Sequence, residues 1–402
     1  MFDDAVIAAI GESEKSRARQ DEPVYSLDEY IYRAVEETLS GTGFDHSDVD
    51  GFGLTSTLAE TPGLYSLKVQ ETLGFEDMRW HVRGDAGGAS VSQMLIQAAL
   101  AVDAGLAETI LCIGADTPLD PHSKDSHWEG GIEDTRGFER NYVDPFGGQG
   151  PISHIAHVQN VHMDEFGTSL ESLGDIAITQ REHATRNPLA YCDEPFDFET
   201  YRESTVIAEP MRLLDCVIPV NAGLGFVVTT PDQAADAGVD SPVYINGYGN
   251  SYNFDASTRP DMTRTGWSKA GPRAFEIAGV DPSDADFLQA YDDFPIIVLM
   301  QLEDLGFCKK GAGDAFVGNH SFRFDGDLPL NTGGGQLSAG QIGLAGGGIQ
   351  ILEAVRQLRG EAGRRQVPDP EWGIATGIGG ISYDKTLEHF ETFVFSTSSE
   401  VA

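Results

Sequence analysis

Two stretches of this chain read as copies of one another. Ser47-Asp48-Val49-Asp50 opens a stretch that ends at Leu73-Gly74-Phe75, and Ser283-Asp284-Ala285-Asp286 opens a second that ends at Leu305-Gly306-Phe307. Each holds a short apolar run followed by a helix-like segment, as at residues 295–304. The register continues downstream. Gly87-Gly88-Ala89-Ser90 begins a helix running to Val102, and Gly333-Gly334-Gly335 precedes residues 336–358, helical at their far end. Apolar runs at 109–115 and 373–378 follow. Short apolar runs alternating with helical periods predict parallel or mixed sheets covered by helices. A repeating chain of 402 residues is therefore expected to fold as two similar α/β halves, 1–235 and 236–402. Within the first half, residues 117–222 separate two apolar runs. A connection of about a hundred residues predicts an inserted subdomain, not a loop, and it is expected to cover the functional site. Residues 172–183 carry helical periodicity there, and 145–150 read as a turn-rich lid edge.

Charge narrows the function classes. The 64 acidic and 26 basic side chains leave a net −38, which argues against nucleic-acid or anionic-membrane partners, because both need a basic surface to neutralise phosphate. The acids are dispersed, as in Asp284, Asp286, Asp292 and Asp293, and do not form a tail. Such a surface resembles proteins of salt-accumulating, haloarchaeal cells, where counterions screen the self-repulsion. No apolar run approaches the roughly 20 residues needed to span a bilayer, and no secretory leader is legible, so a cytoplasmic location is expected. Cys112, Cys192, Cys216 and Cys308 form no C-x-x-C pair and read as reduced thiols. His154, His157 and His162 lack the accompanying ligands of a metal site and read as packed or solvated side chains, so no metal is expected.

Longer motifs then point to a family. Arg186-Asn187-Pro188-Leu189-Ala190, residues 207–216 (Ile-Ala-Glu-Pro-Met-Arg-Leu-Leu-Asp-Cys) and Pro219-Val220-Asn221-Ala222-Gly223 resemble the thiolase superfamily, particularly its sterol-carrier-protein and lipid-transfer branch. So do Tyr291-Asp292-Asp293-Phe294, Asn331-Thr332-Gly333-Gly334 and residues 353–360. The resemblance implies a duplicated five-layer αβαβα core with an inserted loop domain and a homodimer or larger assembly. It further implies coenzyme A thioesters as substrates, with no covalently bound cofactor. Branch members commonly work with a separate small OB-fold, zinc-ribbon protein, and this chain has no ribbon cysteines of its own.

At the family's chemical positions the chain departs from the pattern. The nucleophilic cysteine of thiolases sits before the first core helix, where amides and the helix dipole stabilise its thiolate. Here Gly84-Asp85-Ala86-Gly87-Gly88 places Ala86 in that slot, and a methyl group cannot attack a thioester. Ser90 is a candidate hydroxyl or a helix-start residue. Asp85 is a helix cap or a carboxylate facing substrate. Gln341 stands where the family has its histidine; an amide can donate to an oxyanion but cannot act as a base near neutral pH. The C-terminal turn, Thr376-Gly377-Ile378-Gly379-Gly380, lacks the second cysteine, although its glycines allow close approach of backbone to an acyl group. The resemblance assigns Gly87, Gly88, Asn331, Gly333, Gly334, Gly377 and Gly379 to holding the coenzyme A thioester.

What remains ionisable is Tyr291 with Asp292 beside it. A phenol can move a proton to or from a substrate hydroxyl while a neighbouring carboxylate tunes it. The pattern resembles the steroid side-chain aldolases of the branch, which cleave β-hydroxyacyl-CoA without a catalytic cysteine. Tyr383 and Asp384 are a further pair, catalytic or merely packed. Three functions compete: a cysteine-independent acyl-CoA lyase or ligase of the retro-aldol kind, an acetyl-CoA acyltransferase with an unplaced nucleophile, and a silent coenzyme A-binding subunit.

Overall fold

The computed structural model describes residues 2, 4–19, 21–59, 61, 63–119, 145, 147, 150–255, 260–380 and 388–401. Half of the residues read as a lid edge, 146, 148 and 149, lie outside them, and the Tyr383–Asp384 pair does so wholly.

The strands are β1 (Val6–Glu12), β2 (Gly51–Thr55), β3 (Trp80–Gly84), β4 (Thr109–Asp116), β5 (Val206–Ala208), β6 (Met211–Arg212), β7 (Ala222–Thr229), β8 (Val243–Tyr252), β9 (Leu288–Gln289), β10 (Trp372–Gly379) and β11 (His389–Ser396). The first helices are α1 (Leu27–Leu39), α2 (Tyr65–Leu73), α3 (Ser90–Asp103), α4 (Gly150–Phe166), α5 (Leu170–Ala184) and α6 (Phe198–Glu203). The rest are α7 (Pro231–Asp236), α8 (Trp267–Ala278), α9 (Pro295–Asp304), α10 (Gly313–Asn319), α11 (Gly335–Ala339) and α12 (Gly348–Leu358).

Local signals account for many of the boundaries. A reciprocal capping box between Ser26 and Glu29 starts α1. Pro295 opens α9 at its first position, where its missing N–H costs nothing. The Ser169 hydroxyl caps α5.

Nine strands form one mixed sheet in the order β3-β2-β4-β7-β1-β8-β11-β10-β9. The repeat seen in the sequence is visible in its topology. Strands β1, β2, β4 and β7 of one wing correspond to β8, β9, β10 and β11 of the other. Among these four strands of each wing, β2 runs parallel to β4 and β9 parallel to β10, and the other pairs are antiparallel; β3 adds a further parallel pair to β2. A single parallel bridge, Leu288 to Leu330, stands where β3 flanks β2 in the first wing. The wings meet through two antiparallel residue pairs between β1 and β8, Val6 with Tyr244 and Ile7 with Val243.

Three apolar clusters define the layers. The first packs α1 and α2 on β1, β2, β4 and β7, through Tyr30, Ile31, Phe52 and Leu111. The second joins both wings across α3 and α12, through Met94, Leu95, Phe226, Leu352 and Phe393. The third covers the outer face of the second wing with α8, α9 and the inserted helices α4 and α5. Helices, the first wing of the sheet, helices, its second wing and helices therefore succeed one another, with α3 and α12 central. This is the mixed α/β fold with duplicated topology that the repeat predicts. Residues 336–358 form two helices, α11 and α12, because Gly340 and Gly343 turn the chain between them with positive φ. No helix among the described residues is long and apolar enough to cross a membrane.

Candidate active site

The segment after β9 is fixed by its own backbone. The Tyr291 N–H donates to Thr376 Oγ1 at 2.8 Å, and its carbonyl accepts from Gln301 Nε2 at 2.7 Å. The Thr376 hydroxyl in turn donates to Gln301 Oε1 at 2.6 Å, tying β10 to α9. Side chains two residues apart on an extended chain share a face, and those between them take the other. Tyr291 and Asp293 accordingly reach the wall of a cavity of about 790 Å³.

Asp292 is turned away from that cavity. It is fully buried and accepts from the amides of Gln336 (2.8 Å) and Leu337 (3.2 Å) and from Gln350 Nε2 (2.7 Å), so it secures the first turn of α11. Burial pushes its carboxyl well above the usual carboxylate range, against the pull of those amides.

At the cavity wall Gln341 Nε2 donates to Asp293 Oδ1 at 2.6 Å and to the Tyr291 hydroxyl at 3.4 Å. Burial lifts Asp293 to about 7, with a hydrogen bond from Tyr291 acting in the opposite sense. Burial raises Tyr291 well above an ordinary phenol, and the Asp293 charge adds to the shift. Near neutral pH the phenol stays protonated while the carboxyl is divided between its two forms. Gly88 makes room for this group: a Cβ there would lie 2.0 Å from the Tyr291 oxygen.

The remaining candidates have definite places. Gly87, Gly88 and Gly379 line the cavity beside Tyr291. A Cβ at Gly379 would stand 1.8 Å from the Ala86 carbonyl oxygen, so β10 and the 86–88 turn touch backbone to backbone. Gly377 faces Ser92 and Glu391 instead. Asn331, Gly333 and Gly334 shape the turn before α11: the Asn331 carbonyl accepts from His183 and Gly334, the Gly333 carbonyl accepts from Asn187, and Gly334 is the left-handed N-cap. None of the three lines the cavity. Ser90 is fully buried, donating to the Gly87 carbonyl at 2.6 Å and accepting from the Ala86 amide at 3.0 Å, so both functions of its hydroxyl hold the turn. Asp85 is exposed. The N-cap of α3 is Ala89, with no side-chain bond, and the Asp85 amide donates to Gln93 Oε1 at 3.0 Å.

Sequence reasoning paired Tyr291 with Asp292 and passed over Asp293; the alternation rule would have selected Asp293. It also missed Arg17, Arg181, Cys192 and Cys216, which come to the cavity from distant segments. Burial raises both cavity thiols, Cys216 to about 12, so neither is a thiolate near neutral pH. Among the described residues no group of three or more His, Cys, Asp and Glu side chains converges as a metal centre. His162 is bonded to Thr168 (2.7 Å) and Glu303 (3.1 Å).

This fold is shared with known proteins. Residues 249–390 match the thiolase C-terminal domain-like family. The chain is 32% identical over 308 residues to an acetyl-CoA acetyltransferase of Methanothermobacter thermautotrophicus, covering 74% of this chain and 76% of that protein. It is 31% identical over 366 residues to the steroid side-chain-cleaving aldolase of Thermomonospora curvata, covering 89% and 90% respectively. Among solved structures, the Ltp2-ChsH2(DUF35) aldolase superimposes with a TM-score of 0.82 at 28% identity, covering 98% of each chain. The chain belongs to the thiolase superfamily, in its SCP2-like branch. It is a thiolase-like enzyme of acyl-CoA carbon–carbon bond chemistry.

Proposed function

We propose that the chain cleaves a β-hydroxyacyl-CoA by a retro-aldol step that uses no cysteine. The observation that carries this reading is the Tyr291–Asp293–Gln341 group at the wall of a cavity whose thiols are held in the neutral form. The similarity to two aldolases supports it.

In the proposed step the proton of the β-hydroxyl passes to the Asp293 carboxylate, directly or through the Tyr291 phenol. The Cα–Cβ bond breaks, the β-carbon becomes a carbonyl, and the electron pair passes into the thioester enolate. Return of the proton to the α-carbon completes a shorter acyl-CoA. A carboxyl titrating near 7 suits a base at neutral pH, because it is available in the ionised form yet basic enough to accept a proton. Tyr291, held far above that, serves as donor or relay and not as phenolate. Gln341 fixes the carboxylate and the phenol to one another. The backbone of Gly87, Gly88 and Gly379 lets the thioester approach closely, while Asn331, Gly333 and Gly334 set the turn behind it.

The same reading includes a homodimer, which the family resemblance implies, and the cytoplasm of a salt-accumulating, haloarchaeal cell, whose counterions would suit the −38 net charge. It includes a separate OB-fold, zinc-ribbon partner, since the similar aldolase is named for two components.

Mass-spectrometric product analysis tests the chemistry, using protein purified in molar salt. A 3-hydroxyacyl-CoA is expected to give a carbonyl compound and a shorter acyl-CoA, and the Cys192→Ala/Cys216→Ala variant is expected to retain this turnover. Thiolytic products from 3-oxoacyl-CoA plus CoA that vanish in that variant would overturn the proposal. Intact substrates with measurable CoA binding would indicate a silent subunit.

A further inference from the structure

The cavity carries a charge feature that the retro-aldol step does not use. In a chain with 64 acidic and 26 basic side chains, two guanidinium groups, Arg17 and Arg181, line the same cavity, and most of its other lining is apolar. Neither forms an ion pair among the described residues, although Asp193 and Glu194 act on Arg181 through space. Arg181 is held in position: its Nε donates to Ser338 Oγ at 2.9 Å, its Nη1 donates to the Glu194 carbonyl at 3.1 Å, and it lies 5.0 Å over the Phe196 ring. Arg17 keeps a buried Nε with no hydrogen-bond partner. A buried guanidinium donor left unpaired is costly, and a cationic pair in an apolar wall attracts an anion of matching geometry.

Backbone connections place this pair at the reactive end of the cavity. The Cys192 amide donates to the Ser338 carbonyl at 2.9 Å. The Gln341 amide donates to the Ile218 carbonyl at 2.7 Å, and the Val220 amide donates back to the Gln341 carbonyl at 2.9 Å. Ser16, next to Arg17, pairs with Asn221. The segments bearing Arg17, Arg181 and Gln341 are thus laid side by side. The pantetheine arm of coenzyme A holds its phosphates well away from the thioester, and several phosphate charges are costly to desolvate in an apolar wall.

We infer that the acyl part of the substrate carries a carboxylate, received by Arg17 and Arg181. This rests on the reading of the cavity as an acyl-CoA site. Two guanidiniums suit one carboxylate by charge and by their forked donor geometry.

Calorimetric binding to the full-length protein tests the inference without requiring turnover. The probes are saturated ω-carboxyacyl-CoA thioesters from glutaryl to sebacoyl, each against the unsubstituted acyl-CoA of equal length, with free CoA as reference. At least one carboxylated member is expected to bind about tenfold or more tighter than its partner. Arg17→Gln and Arg181→Gln are expected to abolish that preference while binding the unsubstituted thioesters and CoA as the parent does, and Arg181→Lys is expected to keep part of it. A parent with no preference at any length overturns the inference. So does a Gln variant that weakens CoA and both thioester series alike, which would assign the pair to phosphate. Failure of the retro-aldol proposal would appear separately, as absent turnover with binding intact.

Discussion

Asp293 and Asp292 are neighbours of one residue type, yet packing gives them opposite work. Asp293 shares the cavity wall with Tyr291, whereas Asp292 is spent on the amides that open α11. Tyr291→Phe and Asp293→Asn should each lower kcat on a 3-hydroxyacyl-CoA by about 10²- to 10⁴-fold, as expected for loss of a proton-transfer group. Steady-state kinetics on purified variants checks this. The sign of the pH dependence follows from Asp293. A base must be ionised, so kcat/KM should rise with pH through about 7, and Asp293→Asn should remove that limb. The sequence shows a phenol beside two carboxylates. Choosing between the carboxylates takes the placement of the segment after β9, whose backbone at Tyr291 is tied to Thr376 and Gln301.

At the level of elements, buried polar contacts join the segments that apolar packing brings together. Asp292→Ala would leave the Gln336 and Leu337 amides and Gln350 Nε2 without their acceptor, costing about 3 kcal/mol. Urea unfolding in molar salt should show this as a lower midpoint with little change in slope. Glu12, at the end of β1, pairs with Lys15 and with Arg356 of α12, the latter at 3.0 Å. Burial alone would raise its carboxyl, but Lys15 and Arg356 together hold it down, to about 2. Its contribution to stability is therefore complete above the unfolded value of about 4.5 and is lost as pH falls from there through about 2. Glu12→Gln should flatten that part of the stability–pH profile and cost about 3–5 kcal/mol at neutral pH, because Lys15 and Arg356 keep their charges without a partner. The paired stretches of the repeat are legible as elements: 47–75 contains β2 and α2, and 283–307 contains β9 and α9. The division of 336–358 into α11 and α12 is less so, since its glycines read equally as helix interruptions or as a loop.

Across the whole molecule, the surplus of 38 negative charges sets the conditions under which the fold is stable. At about 0.1 M ionic strength the screening length is about 10 Å, and at 1 M it is about 3 Å. Calorimetric melting points should therefore climb steeply between these salt concentrations and then flatten, whereas a salt-independent midpoint would remove self-repulsion as a major term. The sequence alone determined the duplicated α/β architecture and that residue 86 is an alanine, which offers no thiol. Strand and helix periods are local, and no tertiary arrangement gives a methyl group a nucleophile. The tertiary structure decided which carboxylate faces the cavity, how β1 and β8 join the two wings, and that Arg17, Arg181 and Gln341 line one cavity. Those contacts join segments far apart along the chain, so the packing of whole layers selects them and no spacing in the sequence records them.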